Sequence, residues 1–325
     1  MKAIVTGVTG QDGHFAAKLL VSKGYEVVGL TSRAGGVEQA VTELAGVTAE
    51  EFDYRATGAI GDLVSRIRPS LIMNFAAKAT GRGMFDEPEA MARLNGGFVL
   101  DILEAIRTID PGISFCQASS AEMFGDVEAC PQNECTPFRP KSPYGAAKLY
   151  AHNLIGIYRR AFGLRAASAI LYNHESVRRT TDFVTRKIAR AAAEISLGMA
   201  KDFRLAGITA QRDWGYAPEY VEAMFRIANA AQPQDYVVAT GQLHSVGQVC
   251  EICFAHVGLD FRDFLIIEPG LQRPIETTNV CGDPSAIERD LGWRAETGIQ
   301  AILTEMVDHD LNALRATASP LRSHS

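Results

Sequence analysis

Two periodicities take turns along this chain. Ala3 to Val5 is a short apolar, β-branched run, and Tyr25 to Leu30, Leu71 to Ala76, Ile113 to Cys116 and Ala166 to Leu171 repeat the pattern. Each reads as a strand buried on both faces. Between them lie helical stripes. Phe15, Leu19 and Leu20 open one that Gly24 closes, a second lies near Ala90 to Arg107, and a third starts after Pro143. In the third, Tyr150, Leu154, Ile157, Tyr158 and Ala161 fall at helical spacing and Gly163 ends the run, so these side chains are expected in the core. Strands alternating with helices in this way predict an α/β protein with a doubly wound parallel sheet. After Leu171 the alternation breaks and a smaller C-terminal region begins. The expected division is 1–172 and 173–325, with about 212–240 returning to the first unit.

Composition narrows the class. A chain of 325 residues that is 47% hydrophobic can bury a full core, as one large domain or about two. Its net charge of −6 argues against nonspecific nucleic-acid binding. No apolar run nears the roughly 18 residues of a membrane span. The first residues already read as a strand, with no charged leader before a long apolar run, so no signal peptide is expected. The six cysteines, 116, 130, 135, 250, 253 and 281, are scattered, which favours reduced thiols in a cytoplasm. Cys250 and Cys253 form a lone C-x-x-C without a second pair; buried thiols are expected there, and no metal site. The tail from Arg315 to Ser325 is small and polar and reads as disordered.

Candidate chemistry falls in two stretches. Gly7, Gly10 and Gly13 follow the first strand and open the first helix. Missing side chains there let the backbone approach a pyrophosphate at a helix N-terminus. The second strand ends in Leu-Thr-Ser-Arg. A carboxylate at that place would accept from a ribose 2′-OH, whereas Arg33 suits a 2′-phosphate, so NADP is favoured over NAD.

The second stretch, Ser119 to Lys148, offers a hydroxyl at Ser120, a carboxylate at Glu122, a phenol at Tyr144 and an amine at Lys148. Ser142 and Pro143 start a helix that puts Tyr144 and Lys148 on one face. An ammonium there is expected to draw the phenol below its usual pKa of roughly 10, making it a general acid or base. Beyond residue 172, Arg186, Lys187, Arg212 and Arg273 suit the forked oxygens of a nucleotide diphosphate.

These motifs resemble the extended short-chain dehydrogenase/reductase family and, within it, the GDP-mannose 4,6-dehydratases. The resemblance rests on Thr-Gly-Val-Thr-Gly-Gln-Asp-Gly from Thr6, Gln-Ala-Ser-Ser-Ala-Glu-Met-Phe-Gly from Gln117, and Ser-Pro-Tyr-Gly-Ala-Ala-Lys from Ser142. Asn-His-Glu-Ser from Asn173, Phe-Val-Thr-Arg-Lys-Ile from Phe183, Arg-Asp-Trp-Gly from Arg212 and Arg-Pro-Ile-Glu from Arg273 extend it over nearly the whole chain. It implies a Rossmann domain, a nucleotide-sugar substrate, a homodimer or a tetramer of paired dimers, and dehydration through bound NADP. Catalysis would fall to Ser120, Glu122, Tyr144 and Lys148. The cofactor would be held by Gly7, Thr9, Gly10, Gln11, Asp12, Gly13, Arg33, Ala76, Ala77, His174 and Arg179 with Tyr144 and Lys148. The nucleotide sugar would be held by Ser120, Asn173, Lys187, Arg212, Arg273 and Glu276.

Departures leave alternatives open. Only Arg33 stands where the family usually has two arginines, and the following loop is short. The usual Gly-Asp-Leu after the third strand is not found around Tyr54 to Ala56. Ala121 and Ala90 stand where Ser and Tyr are common. A C4 reductase or epimerase would need Ser120, Tyr144 and Lys148 but not Glu122. A non-catalytic NADP-binding regulator would need none of the four.

Overall fold

The computed structural model describes residues 1–78, 85–125, 129–271 and 280–318. The N-terminal half runs β1 (Lys2–Thr6), α1 (Gln11–Ser22), β2 (Glu26–Thr31), α2 (Gly36–Glu43), β3 (Val47–Glu51), α3 (Ala59–Ile67) and β4 (Leu71–Asn74). It continues through α4 (Pro88–Ala92), α5 (Phe98–Ile109), β5 (Ser114–Ala118), α6 (Pro143–Phe162) and β6 (Ala166–Leu171). Then follow β7 (Asn173–Glu175), α7 (Val184–Ser196), β8 (Phe203–Leu205), β9 (Gln211–Tyr216), α8 (Ala217–Asn229) and β10 (Tyr236–Val238). The chain closes with β11 (Leu243–Ser245), α9 (Val246–His256), β12 (Leu265–Ile267), α10 (Ser285–Leu291) and α11 (Ile299–Ala318).

The doubly wound sheet is seven-stranded, in the order β10-β6-β5-β4-β1-β2-β3, and every pairing within it is parallel. β4 and β6 are buried at every position, as continuous apolar runs between two helix layers must be. One face carries α1 and α8, whose Ala16, Leu20, Tyr220 and Met224 meet Val5 and Met73. The other carries α3, α5 and α6, whose Leu63, Ile102 and Ile155 meet Ile4 and Ile72. A third core joins α7, α9 and α11 around Ile188, Phe254 and Met306. β10 joins the large sheet and α8 packs on it, although both follow β7 to β9 in the chain.

The strand order reverses between β1 and β4, and such a switch point opens a crevice at the carboxyl ends of the strands. Its floor is cross-linked. The Thr6 hydroxyl donates to Asn74 and accepts from the Phe75 and Ala76 N–H groups at 3.0 and 2.9 Å. Asn74 in turn donates to Gln117 on the next strand at 2.6 Å.

Several expectations change. The helix near Ala90 to Arg107 is α4 and α5 joined by a π turn over Arg93–Gly97, where Asn95 donates to the Met91 carbonyl at 3.0 Å and paired glycines tolerate the widening. On α6, Tyr150 and Ile157 are 48% and 47% exposed, and Ala161 is exposed as well. The small residues Ala147 and Ala151, with Ile155, are buried instead, the last two in the core against the sheet. Helical structure persists past Arg315 to Ala318, and the rest of the tail lies outside the described residues. Cys250 and Cys253 are free, buried thiols in α9, both pushed up in pKa by burial. Among the described residues no helix is long and apolar enough to cross a membrane.

Candidate active site

The glycine loop leaves β1 through Gly7, at φ +66°, and enters α1 at Gly10, which caps the helix without a side-chain hydrogen bond. A Cβ on Gly13 would stand 2.2 Å from the Gly7 carbonyl oxygen, so the first turn of α1 can press on the loop only with glycine there. Backbone donors at an uncapped helix start, reached over a bare loop at the switch point, fit a dinucleotide pyrophosphate. Thr9, buried, shares a 3.2 Å hydroxyl contact with Thr31 at the end of β2. Arg33 is exposed just beyond, beside the start of α2, which Gly35 caps without a side chain. Ala76, buried, and Ala77, exposed, follow β4 on the other side of the crevice.

Gln11 and Asp12 bind protein neighbours across the fold. Gln11 donates to the His174 carbonyl at 3.0 Å and accepts from Ser176 at 2.8 Å. Asp12 Oδ2 lies 3.0 Å from His174 Nε2, while His174 Nδ1 lies 2.7 Å from the Tyr172 carbonyl. The pair is mutually reinforcing. Burial opposes both charges, but His174 holds the Asp12 carboxyl below its ordinary pKa and Asp12 holds the imidazole above its own. Arg179 pairs with Glu175 at 3.3 Å and lies over the Phe183 ring at 3.4 Å. β7 and its following loop are thereby fastened to the start of α1.

Beyond β5 the chain turns through Ser119, buried against Met123, into a short 3₁₀ turn over Ala121–Met123. Ser120 caps that turn, its Oγ accepting the Glu122 N–H at 3.2 Å. α6 starts at Ser142, whose hydroxyl accepts the Gly145 N–H at 3.0 Å. A Cβ on Gly145 would come 2.6 Å from the Glu122 carbonyl oxygen, so glycine allows α6 to abut the turn bearing Glu122. The contact brings Tyr144 near enough to Ser120 that the serine hydroxyl eases the ionisation of the phenol. Lys148, buried, donates to the Ala118 carbonyl at 2.8 Å and sits 5.6 Å from the Tyr144 ring centroid.

The electrostatic expectation for this pair is corrected. Burial dominates, pushing the Tyr144 phenol up to about 12 and the Lys148 ammonium down to about 8, with Asp12 partly holding the latter up. The lysine lies beside the ring, but with its own pKa lowered to about 8 it is already neutral where the phenol would ionise, so it does not offset the desolvation of the phenol.

Ser120 and Glu122 line a pocket with Tyr172, Asn173, Arg212, Asp213 and Val280. Lys187 lies on the exposed face of α7 and is not among the lining residues. Arg273 and Glu276 lie outside the described residues. Arg186, grouped above with the diphosphate-binding cations, is instead a core residue: its guanidinium grips Asp310 of α11 in a forked pair, with Nη2 to Oδ1 at 2.7 Å, and donates to the Arg179 carbonyl. Both partners are buried. Asp310→Ala is therefore expected to destabilise the fold by about 3–5 kcal/mol, read by denaturant unfolding, because it strands a buried cation.

Asp213 is a lining residue that sequence reasoning passed over. It accepts from the Thr240 N–H at 3.0 Å, the Thr240 hydroxyl at 2.6 Å and the Gly241 and Gly282 N–H groups at 2.9 and 3.3 Å. It thus holds three segments under the pocket. Its position beside Arg212 in Arg-Asp-Trp-Gly was the available signal.

Comparison with known proteins agrees with this geometry. The family described as GDP-mannose 4,6 dehydratase matches residues 4–306. The chain is 39% identical to GDP-mannose 4,6 dehydratase 1 of Arabidopsis thaliana over 95% of this chain and 89% of that protein. It is 38% identical to the GDP-mannose 4,6-dehydratase of Sinorhizobium fredii over 97% of this chain and 98% of the relative. Among solved structures, a Thermus thermophilus UDP-glucose 4-epimerase in complex with NAD superposes with a TM-score of 0.85 at 25% identity, covering 96% of this chain and 100% of the other. On these grounds the chain belongs to the GDP-mannose 4,6-dehydratase family of Rossmann-fold, extended short-chain dehydrogenase/reductases.

Proposed function

We propose that the protein is a hydro-lyase that converts GDP-mannose to GDP-4-keto-6-deoxymannose with NADP held in the crevice. The observation that carries this reading is Glu122 in the same pocket as Ser120, on a turn packed against the helix that brings Tyr144 to Ser120. When bound, the nicotinamide ring supplies the site that stores the hydride taken from C4 until it is returned at C6. Tyr144 takes the proton of the sugar O4, and Ser120 hydrogen-bonds the oxygen as it becomes a carbonyl. A ketone at C4 acidifies C5. Glu122 then removes the C5 proton and delivers it to the C6 hydroxyl, which leaves as water. Lys148 fixes the helix and strand end around Tyr144 through its bond to Ala118.

The remaining assignments follow the same reading. Gly7, Gly10 and Gly13, with the backbone N–H groups of Gln11 and Asp12 at the start of α1, hold the pyrophosphate end. The exposed Arg33, with the uncapped start of α2, supports a 2′-phosphate and hence NADP. His174 and Arg179 brace the cofactor side of the site. Asn173 and Arg212 line the sugar pocket, and we assign Lys187, Arg273 and Glu276 to the nucleotide sugar by family resemblance. Residues 1–172 with α8 and β10 form the cofactor half, and most of 173–325 the nucleotide-sugar half. The exposed Tyr150, Ile157 and Phe162 give α6 an apolar outer face that supports a homodimer. Six free cysteines support a reducing compartment, the cytoplasm.

The deciding experiment incubates the purified protein with GDP-mannose and no added cofactor, and follows the sugar by mass spectrometry. Loss of one water is the expected outcome, because the hydride is returned within each turnover and the cofactor need not leave. An inert mixture, even after NADP is added and with other nucleotide hexoses tried, would overturn the reading in favour of a reductase, an epimerase or a silent binder.

A further inference from the structure

We propose that Tyr54 is a positioning residue of the dinucleotide site, its hydroxyl fixing where the glycine loop stands relative to the end of β2. The inference rests on the dinucleotide reading of that crevice. Tyr54 lies just past β3, where the chain lacks the family's usual Gly-Asp-Leu, and it is 5% exposed. Its ring is wedged edge-on against Phe98 of α5 and Phe52, with centroids 5.0 and 5.1 Å apart. That wedge aims the hydroxyl at two backbone groups. It accepts the Gly7 N–H at 2.9 Å and donates to the Leu30 carbonyl at 2.9 Å. Leu30 also accepts the Val8 N–H at 3.1 Å. One phenol therefore closes a ring of hydrogen bonds joining the exits of β1, β2 and β3.

The ring bears on ligand binding because its members form the two walls between which an adenosine half would lie. Gly7 opens the loop that approaches the pyrophosphate, and Leu30 precedes the Thr31 to Arg33 segment read as the ribose side. Gly7 also lies close against the backbone of Ala76, where even a Cβ would meet the Ala76 nitrogen at 3.1 Å, so the loop has little room to find its N–H another partner. A leucine or phenylalanine at 54 could fill the aromatic cluster but could neither accept from Gly7 nor donate to Leu30. Burial raises the Tyr54 pKa, which keeps the hydroxyl a neutral donor and acceptor over the working range of pH.

The test titrates NADPH into the full chain, freed of endogenous nucleotide, by isothermal calorimetry. Tyr54→Phe keeps the ring and removes only the oxygen. It is expected to weaken NADPH binding about tenfold, the effect of losing roughly one hydrogen bond's worth of preorganisation, with the KM for GDP-mannose at saturating cofactor unchanged. Phe52→Leu, which loosens the same cluster but leaves the hydroxyl, is expected to lower the melting temperature and leave NADPH affinity alone. Equal affinity in wild type and Tyr54→Phe overturns the proposal even if the variant melts earlier. So does an equal loss in Phe52→Leu, since packing and not the hydroxyl would then be responsible. A wild type that binds neither NADPH nor NADH is a different failure, that of the dinucleotide reading itself.

Discussion

Glu122→Gln is expected to slow the loss of water from GDP-mannose by about 100- to 10,000-fold, the range for removing a positioned acid/base group. An amide can neither take the C5 proton nor pass it to the C6 hydroxyl. Little else depends on this carboxylate. Glu122 is half-buried at the pocket wall, and the hydrogen bond it makes to Ser120 uses its backbone N–H, which the substitution keeps. Stability is therefore expected to stay within about 0.5 kcal/mol of wild type. Product mass and nicotinamide absorbance, followed together, separate the steps: the variant is expected to take the hydride from C4 and stall before elimination. Wild-type water loss in Glu122→Gln would remove this residue from the mechanism. A reductase or an epimerase working through Ser120, Tyr144 and Lys148 alone would not notice the change.

Lys148→Met is expected to cut turnover by a similar factor, about 100- to 10,000-fold, while making the folded protein more stable. Burial, opposed in part by Asp12, lowers the lysine from 10.5 to about 8, so folding places a cation where it is disfavoured. Below about pH 8 the folded and unfolded chains both carry this proton and the whole cost is present. Between about 8 and 10.5 the unfolded chain holds a proton that the folded one has released, so stability rises with pH across that window. At neutral pH the cost is roughly 3 kcal/mol, and losing the bond to Ala118 returns about 1 kcal/mol of it. A net gain of about 1–2 kcal/mol in denaturant unfolding at pH 7 is the expected result. The pH profile gives an independent reading. Tyr144 must shed its own proton to take that of the sugar O4, and burial pushes the phenol up to about 12, so wild-type activity at limiting substrate should rise with pH throughout the range in which the protein stays folded. A Lys148→Met variant that is both slow and less stable would mean that Lys148 serves packing alone.

Features carried by neighbours in the chain were legible in the sequence. The glycine loop between β1 and α1, the Ser-Pro start of α6, the four-residue step from Tyr144 to Lys148 and the strand end before Ser120 all depend on local sterics and helical spacing. Family motifs extended that reading to His174 and Arg212. Where two faces of one helix carry similar periodicity, spacing was insufficient. On α6 it pointed Tyr150 and Ile157 inward, although the sheet lies so close that alanines occupy the packed face and the large side chains turn outward.

The remaining decisions required distant parts of the chain to meet. Arg186 reads like a phosphate ligand until Asp310, 124 residues away, takes both arms of its guanidinium. Tyr54 reads as a missing motif until the fold sets it against Gly7 and Leu30, 47 and 24 residues earlier. Tyr144 reads as an acidified phenol until burial, which no spacing records, pushes it the other way. Local chemistry along the sequence determined which groups could react. Tertiary packing decided which of them face the pocket, which are committed to one another, and what charge each can hold, because desolvation and long-range pairing exist only once the chain has closed around them.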